Sequence, residues 1–136
     1  MIKAAGHREL KRAFTVHERQ TRAQVTRLER IFRSLGESPR GKECVGMEGL
    51  LKEGAELIRE RPDPEVLDAG LLSAARYVEH YEMAGYGTVR TWAEKLGYDE
   101  HAELLQQTLQ EEEQTDRKLT ELAESGINQR ATAGVR

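Results

Sequence analysis

The sequence predicts an all-α protein, an antiparallel helical bundle with a helical crossover. Apolar residues recur at three- and four-residue spacing over long stretches, as on one buried helix face. Alternating runs of Val, Ile and Thr, which would mark strands, do not occur. Hydrophobic residues make up 38% of the chain and charged residues 33%, a balance that suits helices with one wet face each. At 136 residues the chain has room for one ordinary domain. We read that domain over residues 1–126, with a partly ordered tail over 127–136.

The first helix is expected from Arg8 to Leu35. Leu10, Phe14, His17, Thr21, Gln24, Leu28, Ile31 and Leu35 form its inward stripe, and Gly36 is its stop. The loop Glu37-Ser38-Pro39-Arg40-Gly41 follows. A second, shorter helix is expected from Lys42 to Arg61, with Cys44, Val45, Met47, Leu50, Leu51, Ala55, Leu57 and Ile58 as its apolar set. Gly46 and Gly49 weaken it intrinsically and mark close helix approach. The third begins at an Asp63 N-cap with Pro64 as its first residue, and Glu65 favours the positive end of the dipole. It runs to Leu96 and ends at Gly97, with Gly85 and Gly87 as places where it can bend. The fourth starts at an Asp99 N-cap and runs to Glu124, with a stop at Ser125-Gly126. Two long helices separated by a shorter one indicate a crossover rather than a simple up-down array.

Composition excludes several function classes. The net charge is -3, and the arginines of the first helix are spread around it between Glu9, Glu18 and Glu29, so no basic footprint for nucleic acid exists. No run approaches the roughly 18 apolar residues of a membrane span. No apolar signal-peptide core follows Met1, so the expected location is cytoplasmic. The single cysteine, Cys44, fits a reducing compartment and reads as a half-buried core residue.

The informative chemistry lies in Val78-Glu79-His80-Tyr81-Glu82, inside the third helix. Glu79 and Glu82 project about 60° apart on the stripe that also carries Leu71, Ala75, Val78, Val89, Ala93 and Leu96. Tyr86 lies about 40° from Glu82. Inward carboxylates are costly unless a cation answers them, and a metal is one such answer. The first helix adds His17, with Gln20 and Gln24 beyond it. The fourth adds Glu112 and Asp116, about 40° apart. Carboxylate oxygens with an imidazole suit iron or manganese. The plainer alternatives are a hydrogen-bonded core histidine at His17, packing roles for Tyr81 and Tyr86, and inward acids answered by Arg27 and Arg76. His80 points away from Glu79 and Glu82.

The chain also resembles a known family. His17 with Thr21 and Arg27-Leu28, then Lys42-Glu43-Cys44-Val45-Gly46-Met47-Glu48-Gly49-Leu50, carry the first part of the likeness. Asp68-Ala69, Val78-Glu79-His80-Tyr81-Glu82, Tyr86-Gly87, Leu96-Gly97-Tyr98, Glu111-Glu112 and Thr115-Asp116 continue it. In order, these segments resemble the YciE/YciF family of bacterial ferritin-like proteins over nearly the whole chain. The resemblance implies a ferritin-like bundle, a dimer or higher homo-oligomer, a carboxylate-rich metal centre and an association with stress responses. It places metal ligands at Glu79, Glu82, Glu112, Asp116 and His17. Two departures accompany it. Met1 to Gly6 resembles only the last turn of the family's N-terminal helix, which is therefore expected to be truncated. Gln20 stands where the family has a glutamate. With fewer anions, one or two iron or manganese ions are expected to bind weakly, because charge neutralisation drives capture of hard cations.

The function expected from this is a non-catalytic or weakly metal-binding dimeric ferritin-like stress-response protein. The alternatives are a di-iron or di-manganese ferroxidase or peroxide-consuming oxidoreductase, and an interaction module that docks a partner helix in an open groove.

Overall fold

The computed structural model describes residues 1–133. Its secondary structure is entirely helical among those residues: α1 (Arg8–Leu35), α2 (Val45–Glu60), α3 (Pro64–Lys95), α4 (Asp99–Leu122), a wide π-helical turn (Ala123–Ile127) and α5 (Asn128–Ala133). α3 stays continuous through Gly85 and Gly87. No helix is long and apolar enough to cross a membrane among the described residues.

Two apolar clusters fix the topology. One gathers Leu10 and Phe14 of α1, Leu71, Leu72 and Ala75 of α3, and Leu119 and Leu122 of α4. The other gathers Ile31, with Leu28 beside it, then Ala93, Ala102 and Leu105. α1 and α3 therefore travel from the first cluster to the second, and α4 returns. α2 packs along α3 and carries the chain back between the two parallel helices, as a crossover must. Only Leu57 and Ile58 of its expected apolar set reach the first cluster, whereas Val45 and Leu51 are exposed. The close approach of α2 to α3 does not use Gly49, which has open space around it. It uses Gly46, as expected, and Gly70: a side-chain carbon added at Gly46 would come within 2.7 Å of Tyr81 on α3, and one at Gly70 within 2.5 Å of Leu57 on α2.

Several termini differ from the sequence reading. Cys44 is exposed, at the N-cap position of α2, with its Sγ 3.1 Å from the Tyr81 hydroxyl. It is not a core residue, because the ring of Tyr81 covers Gly46 and leaves the thiol outside. The N-cap of α4 is Tyr98, and Asp99 lies one position inside. Asp63 holds the N-cap position of α3 without a side-chain hydrogen bond. The N-terminus of α1 is capped from a distance: Asp68, buried on α3, accepts from the backbone N–H groups of Gly6 and His7, both at 2.8 Å. Ser125-Gly126 does not end the helical path. Gly126 has φ 139°, a value that favours glycine, and there the chain kinks and continues. Ile127, expected to begin a partly ordered tail, is buried in the first cluster, and Asn128–Ala133 are helical. Residues 134–136 of that expected tail lie outside the described residues.

Candidate metal centre

Between the two apolar clusters lies a layer of buried polar side chains: Gln24 from α1, Glu79 from α3, and Thr108 and Glu112 from α4. The helical repeat explains it. On each helix the inward stripe is apolar at both ends and polar in the middle, so antiparallel packing stacks the polar parts at one level.

Within this layer His17, Glu79, Glu82 and Glu112 each bring one ligand atom to within 4.8 Å of the others. The group can hold a metal ion. Glu79 and Glu112 are buried, and no other residue donates a hydrogen bond to any of their four carboxyl oxygens; the one partner in reach is each other, through a shared proton. His17 Nε2 lies 3.2 Å from Glu79 Oε1 but does not form an aligned hydrogen bond with it. Three carboxylates and one imidazole, with no guanidinium or ammonium among them, make a strongly acidic pocket of low dielectric.

The protonation behaviour follows from that. Burial pushes Glu79 up to about 10, with the Glu112 carboxylate as the next cause and Glu82 and Asp116 adding to it. Burial, then Glu112, raises Glu82 to about 7. Tyr86, at the edge of the second apolar cluster, is raised to about 12 by burial and then by Glu82 and Glu112. Burial lowers His17, partly countered by the Glu112 charge. Isolated buried carboxylates thus take up protons when no cation is present.

The four ligand candidates fit a cation on the chemistry of their donors. Oxygen donors with one imidazole suit iron or manganese, and these carboxyl oxygens are what a cation would satisfy. Threonine hydroxyls border the imidazole: Thr21 Oγ1 lies 3.5 Å from Nε2 and Thr115 Oγ1 lies 3.4 Å from Nδ1.

Of the five residues expected as ligands, Asp116 stands apart. Its Oδ1 accepts from Arg76 Nε at 2.8 Å and lies 3.2 Å from His80 Nε2. The guanidinium competes for it, and the two form an ion pair bridging α3 and α4. His80, read from the sequence as facing away from Glu79 and Glu82, faces this aspartate. Arg27 does not answer the inward acids. It grips the neighbouring Glu111, with Nη1 at 2.9 Å and Nη2 at 2.6 Å, and also donates to Thr108. Burial pushes Glu111 up, but Arg27 and then Gln24 outweigh it and hold this carboxyl below the usual range. Gln20 lines a surface groove between α1 and α4 with Val16, Gln114 and Lys118. Sequence reasoning missed the Glu111 pair and the Asp68 cap. In a run of three glutamates, spacing alone does not tell which one meets an arginine from another helix.

Comparison with known proteins gives consistent findings. A family described as a domain of unknown function (DUF892) matches residues 1–132. The protein YciF of Escherichia coli K12 is 42% identical over 132 residues, spanning 96% of this chain and 80% of that one. A crystal structure described as the E. coli stress protein YciF superimposes with a TM-score of 0.88 at 43% identity, covering 93% of this chain and 80% of that one. A Rhodopseudomonas palustris protein, YcfI, described as a putative structural protein, superimposes at 0.84 with 41% identity, covering 88% and 76% of the two chains.

Proposed function

This chain belongs to the DUF892 family, and we propose that it is a ferritin-like stress-response protein that binds one divalent iron or manganese ion through His17, Glu79, Glu82 and Glu112. The observation that carries this reading is the pair of buried carboxyls of Glu79 and Glu112, facing one another with no donor or cation from any other residue on their four oxygens. A fold does not retain two buried acids without a cation cheaply, because burial disfavours their charged forms and forces them to hold a proton. The association with stress comes from its relative, described as a stress protein.

A bound cation would supply Lewis acidity and, for iron or manganese, one-electron chemistry. The residues do the rest. Glu79 and Glu112 offer oxygens from opposite helices, His17 offers a neutral nitrogen, and Glu82 lies at the half-exposed edge where an ion can enter. Glu79 gives up a proton on binding, so affinity rises with pH. The two apolar clusters exclude water from both ends of the layer.

The test is elemental analysis of protein purified without chelator, with iron and manganese counted per chain. About one ion per chain is expected, from a single set of oxygen and nitrogen donors. A value near zero removes the metal reading and leaves a helical scaffold. A value near two supports instead the di-iron or di-manganese oxidoreductase.

Self-association is part of the same reading. Trp92, in the last turn of α3, and Leu96, at its C-cap, are 61% and 71% exposed, and Tyr98 follows them. Clustered apolar side chains of this size favour cover by a second copy. Sedimentation velocity should give a dimer or higher homo-oligomer, and a stable monomer removes this part of the reading.

A further inference from the structure

We propose that the hydroxyl of Thr115 fixes the tautomer of His17, holding its proton on Nδ1 so that Nε2 is free to bind the ion. The inference rests on the metal reading above and names the positioning residue that prepares the imidazole for it. The two ring nitrogens of His17 face different neighbours. Nε2 lies 3.2 Å from Glu79 Oε1, so it is the nitrogen turned toward the carboxylates. Nδ1 lies 3.4 Å from Thr115 Oγ1, which α4 presents one turn beyond Glu112. A neutral imidazole carries one proton, and the nitrogen that carries it has no lone pair for a metal. Which nitrogen can coordinate is therefore set by where the other one places its N–H.

Toward His17, Thr115 acts as an acceptor. Its single hydroxyl proton goes to the backbone carbonyl of Glu111, at 3.0 Å, one turn back on α4. The lone pairs of Oγ1 are left to face Nδ1, and they favour an N–H there. Thr21 stands on the other side of the ring in the same state. Its hydroxyl donates to the His17 carbonyl at 3.1 Å, and its oxygen lies 3.5 Å from Nε2. The two threonines thus draw the proton in opposite directions. Thr115 is the nearer, and Glu79 Oε1 is not aligned to accept from Nε2. A cation among the carboxylates adds to the bias, because it repels a proton on the nitrogen that faces it. A surface groove of about 380 Å³, lined by Val16, Gln20, Thr115 and Lys118, runs along this side and brings water to the threonine.

The experiment uses the full chain. Nitrogen NMR of the isotope-labelled, metal-free protein near neutral pH reads the tautomer, with the His17 signals assigned from H17Q. Calorimetric titration with Mn²⁺ then reads the affinity. Wild type should show a protonated Nδ1 and a bare Nε2. T115V keeps the branched shape and removes the acceptor; it should shift the proton to Nε2 and weaken Mn²⁺ binding about 10–100-fold. T115S should restore both. T115A serves if T115V does not fold, with a smaller loss, because water from the groove can stand in for the hydroxyl. T21V should leave the proton on Nδ1. A wild-type His17 with its proton on Nε2 overturns the inference, and so does a folded T115V with unchanged tautomer and affinity, while Mn²⁺ binding by wild type keeps the metal reading standing. Weaker binding in T115V without a change of tautomer also overturns it, since a merely structural role would give that result. Wild type that binds no Mn²⁺ removes the metal reading, and with it the purpose assigned to the tautomer.

Discussion

Glu79 and Glu112 differ from most acids of this chain in being buried with no donor from any other residue. Glu111, beside Glu112 in sequence, has the opposite fate, with Arg27, Gln24 and Gln107 all reaching it. Two adjacent glutamates thus serve different ends: one ties α1 to α4, the other faces the centre. If the proposed metal reading holds, removing any one of the four candidate ligands abolishes metal binding. Glu82→Ala and Glu112→Ala should each reduce iron and manganese to background in elemental analysis while helicity by circular dichroism stays unchanged. Glu79→Gln should also lose the metal, yet leave the metal-free protein equally or more stable, because the amide replaces a carboxyl already held protonated. A lower melting temperature for metal-free Glu79→Gln would argue that this side chain is answered by a cation even without metal.

The helices depend on contacts between distant segments. α1 has no side-chain cap of its own at His7, and Asp68 takes that role from the first turns of α3. Asp68→Ala should cost about 1 kcal/mol in chemical denaturation, the usual range for a lost cap. A side-chain carbon at position 6 would lie 3.3 Å from the Asp68 carboxylate, so the cap would have to shift by a few tenths of an ångström to admit it. At the other end, Gly126 turns the chain so that Ile127 enters the core. Gly126→Ala should destabilise by about 1–3 kcal/mol, the cost of holding a side chain in that backbone region. A neutral result would mean that the turn relaxes without drawing Ile127 out.

At the scale of the whole molecule the protein is a polar layer closed between two apolar clusters, and this arrangement links stability to pH. Glu79 titrates near 10 in the folded state and near the ordinary carboxylate value when unfolded. From the ordinary carboxylate range up to about pH 10 the unfolded chain has lost that proton and the folded chain still holds it. The folded state therefore binds more protons, and raising the pH disfavours it. Glu82 acts in the same direction, over a window that closes near 7. With chelator present, the melting temperature should fall between about pH 7 and pH 9. Added Mn²⁺ should remove or reverse that fall, because the ion replaces the proton. Glu79→Gln should flatten it without metal. A melting temperature independent of pH over this window, in wild type with chelator, would contradict the burial of an uncompensated carboxyl.

Much of this was legible in the residues. The bounds of α1, the Pro64 start of α3, the crossover and the inward direction of Glu79, Glu82 and Glu112 follow from helical periodicity, because one turn repeats regardless of what surrounds it. Periodicity gives a direction on one helix and no identity for what lies opposite. Only packing decided that Arg76 takes Asp116 out of the cluster, that Arg27 meets Glu111, that Cys44 stays outside and that Ile127 turns in. Those outcomes depend on how far one helix is rotated and shifted against another, which is set by the sum of contacts along its length and not by any local spacing.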